Sequence, residues 1–138
     1  MSVSVLIISH DEIGTALLNT VKQTFGSDLP LSAATAELRS DADPEVLVPK
    51  LKQVVKALDQ GEGVLILTDL FGSTPSNIAQ KVQDLVNVRV VSGLNLPMLI
   101  RIMNYPQLNL DQLAEKALTG GQCGIIECEK QRNSEDKL

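Results

Sequence analysis

Aromatic residues are nearly missing from this chain, at 2% of 138 residues. Without them the core must be assembled from Val, Leu, Ile and Ala, which suits buried strands covered by helices better than a small all-β sandwich. Single-stranded bases find no rings to stack on, and the formal net charge of −5 comes with no basic stripe, so nucleic-acid binding has little support. No apolar run approaches the roughly 20 residues that a membrane helix requires. The N-terminus lacks the positive segment and cleavage pattern of a secretory signal, and a cytoplasmic location is expected. Cysteine is limited to Cys123 and Cys128. On one strand they would point to opposite faces about 16 Å apart, too far to bridge. The single histidine lies far from both, so no zinc site is expected. Neither a dinucleotide fingerprint nor a P-loop is present, and no cofactor is expected.

What remains is a composition of 43% hydrophobic and 21% charged residues, that of one ordinary globular domain over residues 1–128 with a polar tail over 129–138. Val3–Ile8 is a β-branched apolar run, the mark of a fully buried strand. Ile13, Ala16, Leu17, Thr20, Val21 and Thr24 then follow a helical spacing that stops at Gly26. Leu31–Leu38 reads as a second strand on the sheet edge. Asp43-Pro44-Glu45 is a helix start, with a capping acid and proline at the first position, and the helix runs to Leu58. Gly63–Thr68 is the strongest buried strand. Ser76–Leu85 is helical, Val88–Ser92 is a fourth strand, and Leu96–Met103 and Leu110–Leu118 are helices. Gly120-Gly121 is expected to turn the chain into a fifth strand over Cys123–Cys128. This alternation predicts a three-layer α/β/α sandwich with a mostly parallel sheet in the flavodoxin-like order 2-1-3-4.

Open α/β sheets bind ligands beyond the carboxyl ends of their strands, where strand order reverses. In this order the first and third strands are neighbours there. The first ends at Ser9-His10-Asp11 and the third at Thr68-Asp69, so His10 and Asp69 are expected to share one crevice. A neutral imidazole nitrogen is a good nucleophile toward phosphorus, and the phosphoramidate it forms keeps a high transfer potential. A carboxylate on the second ring nitrogen would fix the tautomer and stabilise the charge that develops on the ring. The phosphoryl oxygens need donors, which Gly72, Ser73 and Thr74 before Pro75 offer as a close-approaching backbone, a hydroxyl and the free N–H groups of a helix start. Taken singly, each feature has a plain structural explanation. A lone histidine is more often structural, Asp69 alone suits a turn, and Ser73-Thr74-Pro75 alone is a helix cap. Only the combination points to chemistry.

Three segments together resemble a known family, the mannose-type enzyme IIA domain of the bacterial phosphoenolpyruvate-dependent sugar phosphotransferase system. They are Ser9-His10 after an apolar strand with Ile13-Gly14 beyond it, Thr68-Asp69-Leu70-Phe71-Gly72-Ser73-Thr74-Pro75-Ser76-Asn77, and Ser92-Gly93-Leu94-Asn95-Leu96-Pro97-Met98-Leu99. The resemblance covers Val3 to about Cys128. It implies that His10 accepts a phosphoryl group from the phosphocarrier HPr and passes it to a IIB protein. It also implies that Asp69 orients His10 and that Gly72, Ser73 and Thr74 line the phosphate position. A IIC/IID permease in the membrane would complete such a system. The family is a homodimer whose C-terminal strand reaches the partner's sheet, and Cys123–Cys128 would be that strand. The chain ends after a short tail, so the IIB acceptor is expected to be a separate protein. Two positions depart from the family pattern. Asp11 replaces the glycine after the histidine and puts a carboxylate beside the acceptor. Ser73 replaces the second glycine of the loop.

Three other readings stand beside this one. A regulatory phosphoprotein without a permease would use the same His10 chemistry. A receiver-like domain phosphorylated on Asp69, with Asp11 and Glu12 as its acids, would leave His10 and the Ser73-Thr74-Pro75 loop unexplained and lacks a lysine after the fifth strand. A small-molecule binding domain would not need His10.

Overall fold

The structure, a computed structural model, describes residues 1–85 and 87–130. Nine elements follow in order: β1 (Ser4–His10), α1 (Ile13–Phe25), β2 (Ala33–Leu38), α2 (Pro44–Leu58), β3 (Val64–Thr68), α3 (Thr74–Val82), β4 (Val88–Ser92), α4 (Leu96–Met103) and α5 (Leu110–Cys123). The strands form one sheet in the order β2-β1-β3-β4, and every neighbouring pair is parallel. The expected architecture and strand order are therefore observed, with β2 on an edge.

Strand periodicity builds the layers. Alternate β1 residues leave the sheet on opposite faces. Val5 and Ile7 join Leu65, Leu67 and Val91 in a core closed by Leu18, Met98, Leu99, Ile102 and Leu113 from α1, α4 and α5. Leu6 and Ile8 join Val64, Ile66 and Val88 in a second core closed by Leu51, Val55, Ile78 and Ala79 from α2 and α3. Strands buried on both faces must read as continuous apolar runs, which is why β1 and β3 stand out in the sequence. Each fully buried Leu or Ile contributes on the order of 1.5–3 kcal/mol.

Local chemistry sets the helix ends. Asp43 accepts from the Glu45 N–H at 3.0 Å and Pro44 opens α2. Pro49 lies inside that helix, on its exposed face, and having no N–H it leaves the Glu45 carbonyl without its usual intrahelical donor. Asn109 and Gln112 cap α5 reciprocally.

The expected turn at Gly120-Gly121 is overturned. Gly120 and Gly121 do not turn the chain; they are buried inside α5, which continues to Cys123, and residues 124–130 form no strand. The reason is helix–helix packing. A Cβ on Gly120 would lie 2.5 Å from Arg101 Cβ, and one on Gly121 would lie 3.0 Å from Met98 Cε, both on α4. Asn95 at the head of α4 donates Nδ2–H to the Gly121 carbonyl at 3.1 Å, clasping the two helices at the same point. Cys123 and Cys128 are exposed free thiols. The expected polar tail lies mostly outside the described residues. No helix among the described residues is long and apolar enough to cross a membrane.

Candidate functional site

His10 is the last residue of β1, at the carboxyl edge of the sheet. The strand stops there because the backbone turns left-handed at Asp11 once the ladder with β2 closes, and a side-chain contact draws the next helix in. The Ser9 hydroxyl, fully buried, accepts from the Gly14 N–H at 2.9 Å and draws the start of α1 onto the strand end. Asp11 donates its N–H to the Leu38 carbonyl at 2.9 Å and takes a left-handed conformation, φ 43°. Positive φ at this position explains a preference for glycine after the histidine. Aspartate is among the few other residues that tolerate it. The Asp11 side chain is exposed.

Asp69 follows β3, and the parallel register sets Ile8 beside Thr68, so the two strand ends project together. The result is a direct contact: Asp69 Oδ2 lies 2.8 Å from His10 Nδ1 and accepts from the His10 backbone N–H at 3.2 Å. An ionised carboxylate only accepts, so the contact suits the tautomer with its proton on Nδ1 and a lone pair on Nε2. The His10 side chain is 42% exposed while that of Asp69 is 10% exposed. The second carboxylate oxygen, Oδ1, is buried with no hydrogen-bond partner among the described residues. A carboxylate so poorly solvated favours a neighbouring group that gains positive charge.

The loop after Asp69 carries Leu70 and Phe71, 61% and 72% exposed. Ser73 is the N-cap residue of α3, but its hydroxyl caps nothing in the helix; both its N–H and its Oγ donate to the Leu70 carbonyl, tightening the turn. Thr74, exposed, is the first helical residue, two before the expected start at Ser76, and Pro75 takes the second position. The N–H groups of Thr74 and Ser76 belong to the first turn, where no intrahelical acceptor exists. Helix α3 packs on β1, β3 and β4, so its N-terminus opens on the same edge as His10 and Asp69. Gly72, Ser73 and Thr74 make no hydrogen bond to His10 among the described residues.

Sequence reasoning missed a set of hydroxyls beneath this edge. Thr68 Oγ1 lies 2.6 Å from Ser92 Oγ, which lies 3.4 Å from Ser76 Oγ. Its one sequence signal is a hydroxyl residue ending each of two apolar strands, VLILT and VRVVS. Asp11, Glu12 and Asp69 do not gather: no group of three His, Cys, Asp or Glu that could hold a metal is present among the described residues.

Known proteins resemble this chain in sequence and in fold. A family model described as the PTS system fructose IIA component (EIIA-man) matches residues 4–118. The mannose-specific EIIAB component of Escherichia coli K12 is 27% identical over 128 residues, which is 91% of this chain and 39% of that protein. The chain thus spans about two fifths of that relative's length. The fructose-specific EIIA component of Bacillus subtilis is 28% identical over 103 residues, 74% of this chain and 69% of that one. Among solved structures, the mannose/sorbose-specific IIA subunit from Enterococcus faecalis superposes with a TM-score of 0.84 at 27% identity, covering 97% of this chain and all of its own.

Proposed function

This chain belongs to the EIIA-man family of PTS IIA components, and from that premise we propose that it carries a phosphoryl group on His10, received from HPr and delivered to a IIB partner. The observation that carries the proposal is the 2.8 Å contact between His10 Nδ1 and Asp69 Oδ2, which leaves Nε2 as the nucleophilic nitrogen on a partly exposed ring.

In the forward step the Nε2 lone pair attacks phosphorus, an Nε2–P bond forms, and the bond from phosphorus to the donor's imidazole nitrogen breaks. The proton on Nδ1 stays in place, held by Asp69. Positive charge grows on the ring as the bond forms, and the buried carboxylate stabilises it. Transfer to the IIB partner reverses the sequence. Gly72 and Thr74, with the open amides of the first turn of α3, supply donors for the phosphoryl oxygens, and the helix dipole adds to their effect. Ser73, whose own donors face the Leu70 carbonyl, acts here by shaping the turn. The receiver reading loses support because Asp69 is engaged by His10 and the acids do not cluster.

A phosphotransferase component of this kind would work at the cytoplasmic face of a IIC/IID permease. Homodimer formation is part of the same proposal. Strand β4 is an edge, and a cavity of about 590 Å³ beside it is lined by Phe71, Val90 and Leu118 among others. Ile125 and Ile126, 81% and 73% exposed, supply an apolar segment for the edge of a second copy.

The test is incubation with phosphoenolpyruvate, enzyme I and HPr. Wild type is expected to take label that is stable in base and lost in acid, and His10→Gln is expected to take none. Equal labelling of the two chains would remove His10 from the role.

A further inference from the structure

Four hydroxyl residues are fully buried among the described residues: Ser4, Ser9, Thr68 and Ser76. Two have a local purpose. Ser4 donates to the Leu58 carbonyl at 2.7 Å, and Ser9 accepts from Gly14, so each ties a strand end to one nearby backbone group. The other two converge on a third residue. Ser92 Oγ lies between Thr68 Oγ1 at 2.6 Å and Ser76 Oγ at 3.4 Å. Thr68 and Ser92 are register partners at the ends of β3 and β4, while Ser76 is the third residue of α3. One hydroxyl therefore joins the strand end that carries Asp69 to the first turn of the helix whose amides face the same edge.

The surrounding contacts give this link its leverage. The Thr68 carbonyl accepts from both Gly93 N–H and Leu94 N–H, at 3.0 and 2.9 Å, so the residue before Asp69 is already locked to the end of β4 through its backbone. Helix α3 has no comparable anchor: its N-cap makes no side-chain bond into the helix, and the Ser73 hydroxyl donates only to the Leu70 carbonyl. Apolar contacts with the sheet resist separation but tolerate sliding. A hydroxyl contact is directional, and a small displacement leaves the fully buried Thr68 and Ser76 hydroxyls unpaired at a cost, while Ser92 itself is half-buried. Ser92 thus couples the strand end before Asp69 to the head of α3, closely at Thr68 and more loosely at Ser76.

We propose that Ser92 is a positioning residue for phosphoryl transfer, acting through Thr68 and Ser76 to hold the donors at the head of α3 in register with the His10–Asp69 pair. The inference rests on the functional reading above. A misplacement of about 1 Å from outside the reacting groups is enough to cost roughly 10²-fold in rate, and losing one hydroxyl bridge shifts less than that.

The experiment measures HPr-dependent phosphorylation under steady-state conditions. Ser92→Ala is expected to lower kcat about tenfold, with KM for phospho-HPr within about twofold of wild type, because the exposed Phe71 side chain is retained. Ser92→Thr keeps the hydroxyl and is expected to return kcat to within about threefold. The Thr68→Val, Ser92→Ala double variant is expected to fall no further than Ser92→Ala, as members of one bridge do not add. Should Ser92→Ala fail to fold, Ser76→Ala is read in its place, with a loss of about threefold in kcat. An unchanged kcat in the folded alanine variant, or a Ser92→Thr chain as slow as Ser92→Ala, overturns the positioning role while a labelled wild type leaves the carrier reading standing. A wild type that takes no label removes both.

Discussion

A single oxygen of Asp69 accepts two hydrogen bonds from one residue, His10: its backbone N–H at 3.2 Å and its ring Nδ1–H at 2.8 Å. The carboxylate is thereby referenced to the strand as well as to the ring, so imidazole orientation is tied to the rigid end of β1. Asp69→Ala is expected to slow phosphorylation of His10 by roughly 10²-fold. The fold should survive, because the deletion also removes the buried, unpartnered Oδ1. Asp69→Asn, which keeps an acceptor but loses the charge, should fall between. Rapid-quench labelling with far-UV circular dichroism on the same samples checks both. A rate within twofold of wild type for Asp69→Ala would show that the carboxylate has no part in transfer.

Asp11 holds a left-handed backbone, φ 43°, next to His10. A side chain that cannot bond locally pays about 1–2 kcal/mol for that conformation, and glycine does not. Asp11→Ala is therefore expected to be less stable than Asp11→Gly by about 1 kcal/mol in urea unfolding. Asp11→Asn keeps the conformational tolerance and removes a negative charge next to the incoming phosphoryl group. Its transfer rate should exceed wild type at low ionic strength and approach it as salt screens the field. Equal midpoints for the Ala and Gly variants would mean that the turn is not under this constraint.

Gly14 sits where α1 meets β1. A Cβ there would lie 2.5 Å from Ile7 Cγ2 and 2.8 Å from Ser9 Oγ, the atom that receives the Gly14 N–H. Alanine is the better helix former, by about 1 kcal/mol. Overpacking against a fully buried isoleucine is expected to outweigh that gain and leave Gly14→Ala less stable by about 1–3 kcal/mol. Thermal and urea unfolding measure the difference. A variant as stable as wild type would show that the turn can open without cost.

Phe71 is 72% exposed on the loop that follows Asp69. Its removal deletes little buried area, so Phe71→Ala should change stability by less than about 0.5 kcal/mol. An aromatic at such a place is suited to contact with a docking protein. The expected effect is a several-fold rise in KM for phospho-HPr with kcat retained. A change confined to kcat would assign Phe71 to the chemistry instead.

The sheet was legible because β1 and β3 are enclosed on both faces and must be apolar throughout, leaving few other readings for those runs. His10 and Asp69 were legible for the same reason: each is the first polar group of consequence after a buried run, and strand order makes the ends neighbours. Gly120-Gly121 was misread because two glycines in sequence favour a turn locally. Their reason for being glycine lies on another helix, in the close approach of Arg101 and Met98, which no local pattern reports. The Thr68–Ser92–Ser76 bridge was hidden in the same way, since it exists only once register sets Thr68 beside Ser92. The second bond from Asp69, to the His10 backbone, depends on how two strand ends splay and leaves no trace in residue type.

β1 lies between β2 and β3, and His10 ends it with its ring tethered at one nitrogen. A group mounted this way has no arm with which to travel. On the proposed reading, cargo fixed to it would stay put until another molecule arrived, so giver and taker would visit the same face by turns. Throughput in such a relay would follow how fast each visitor leaves, which favours brief, weak encounters over tight ones.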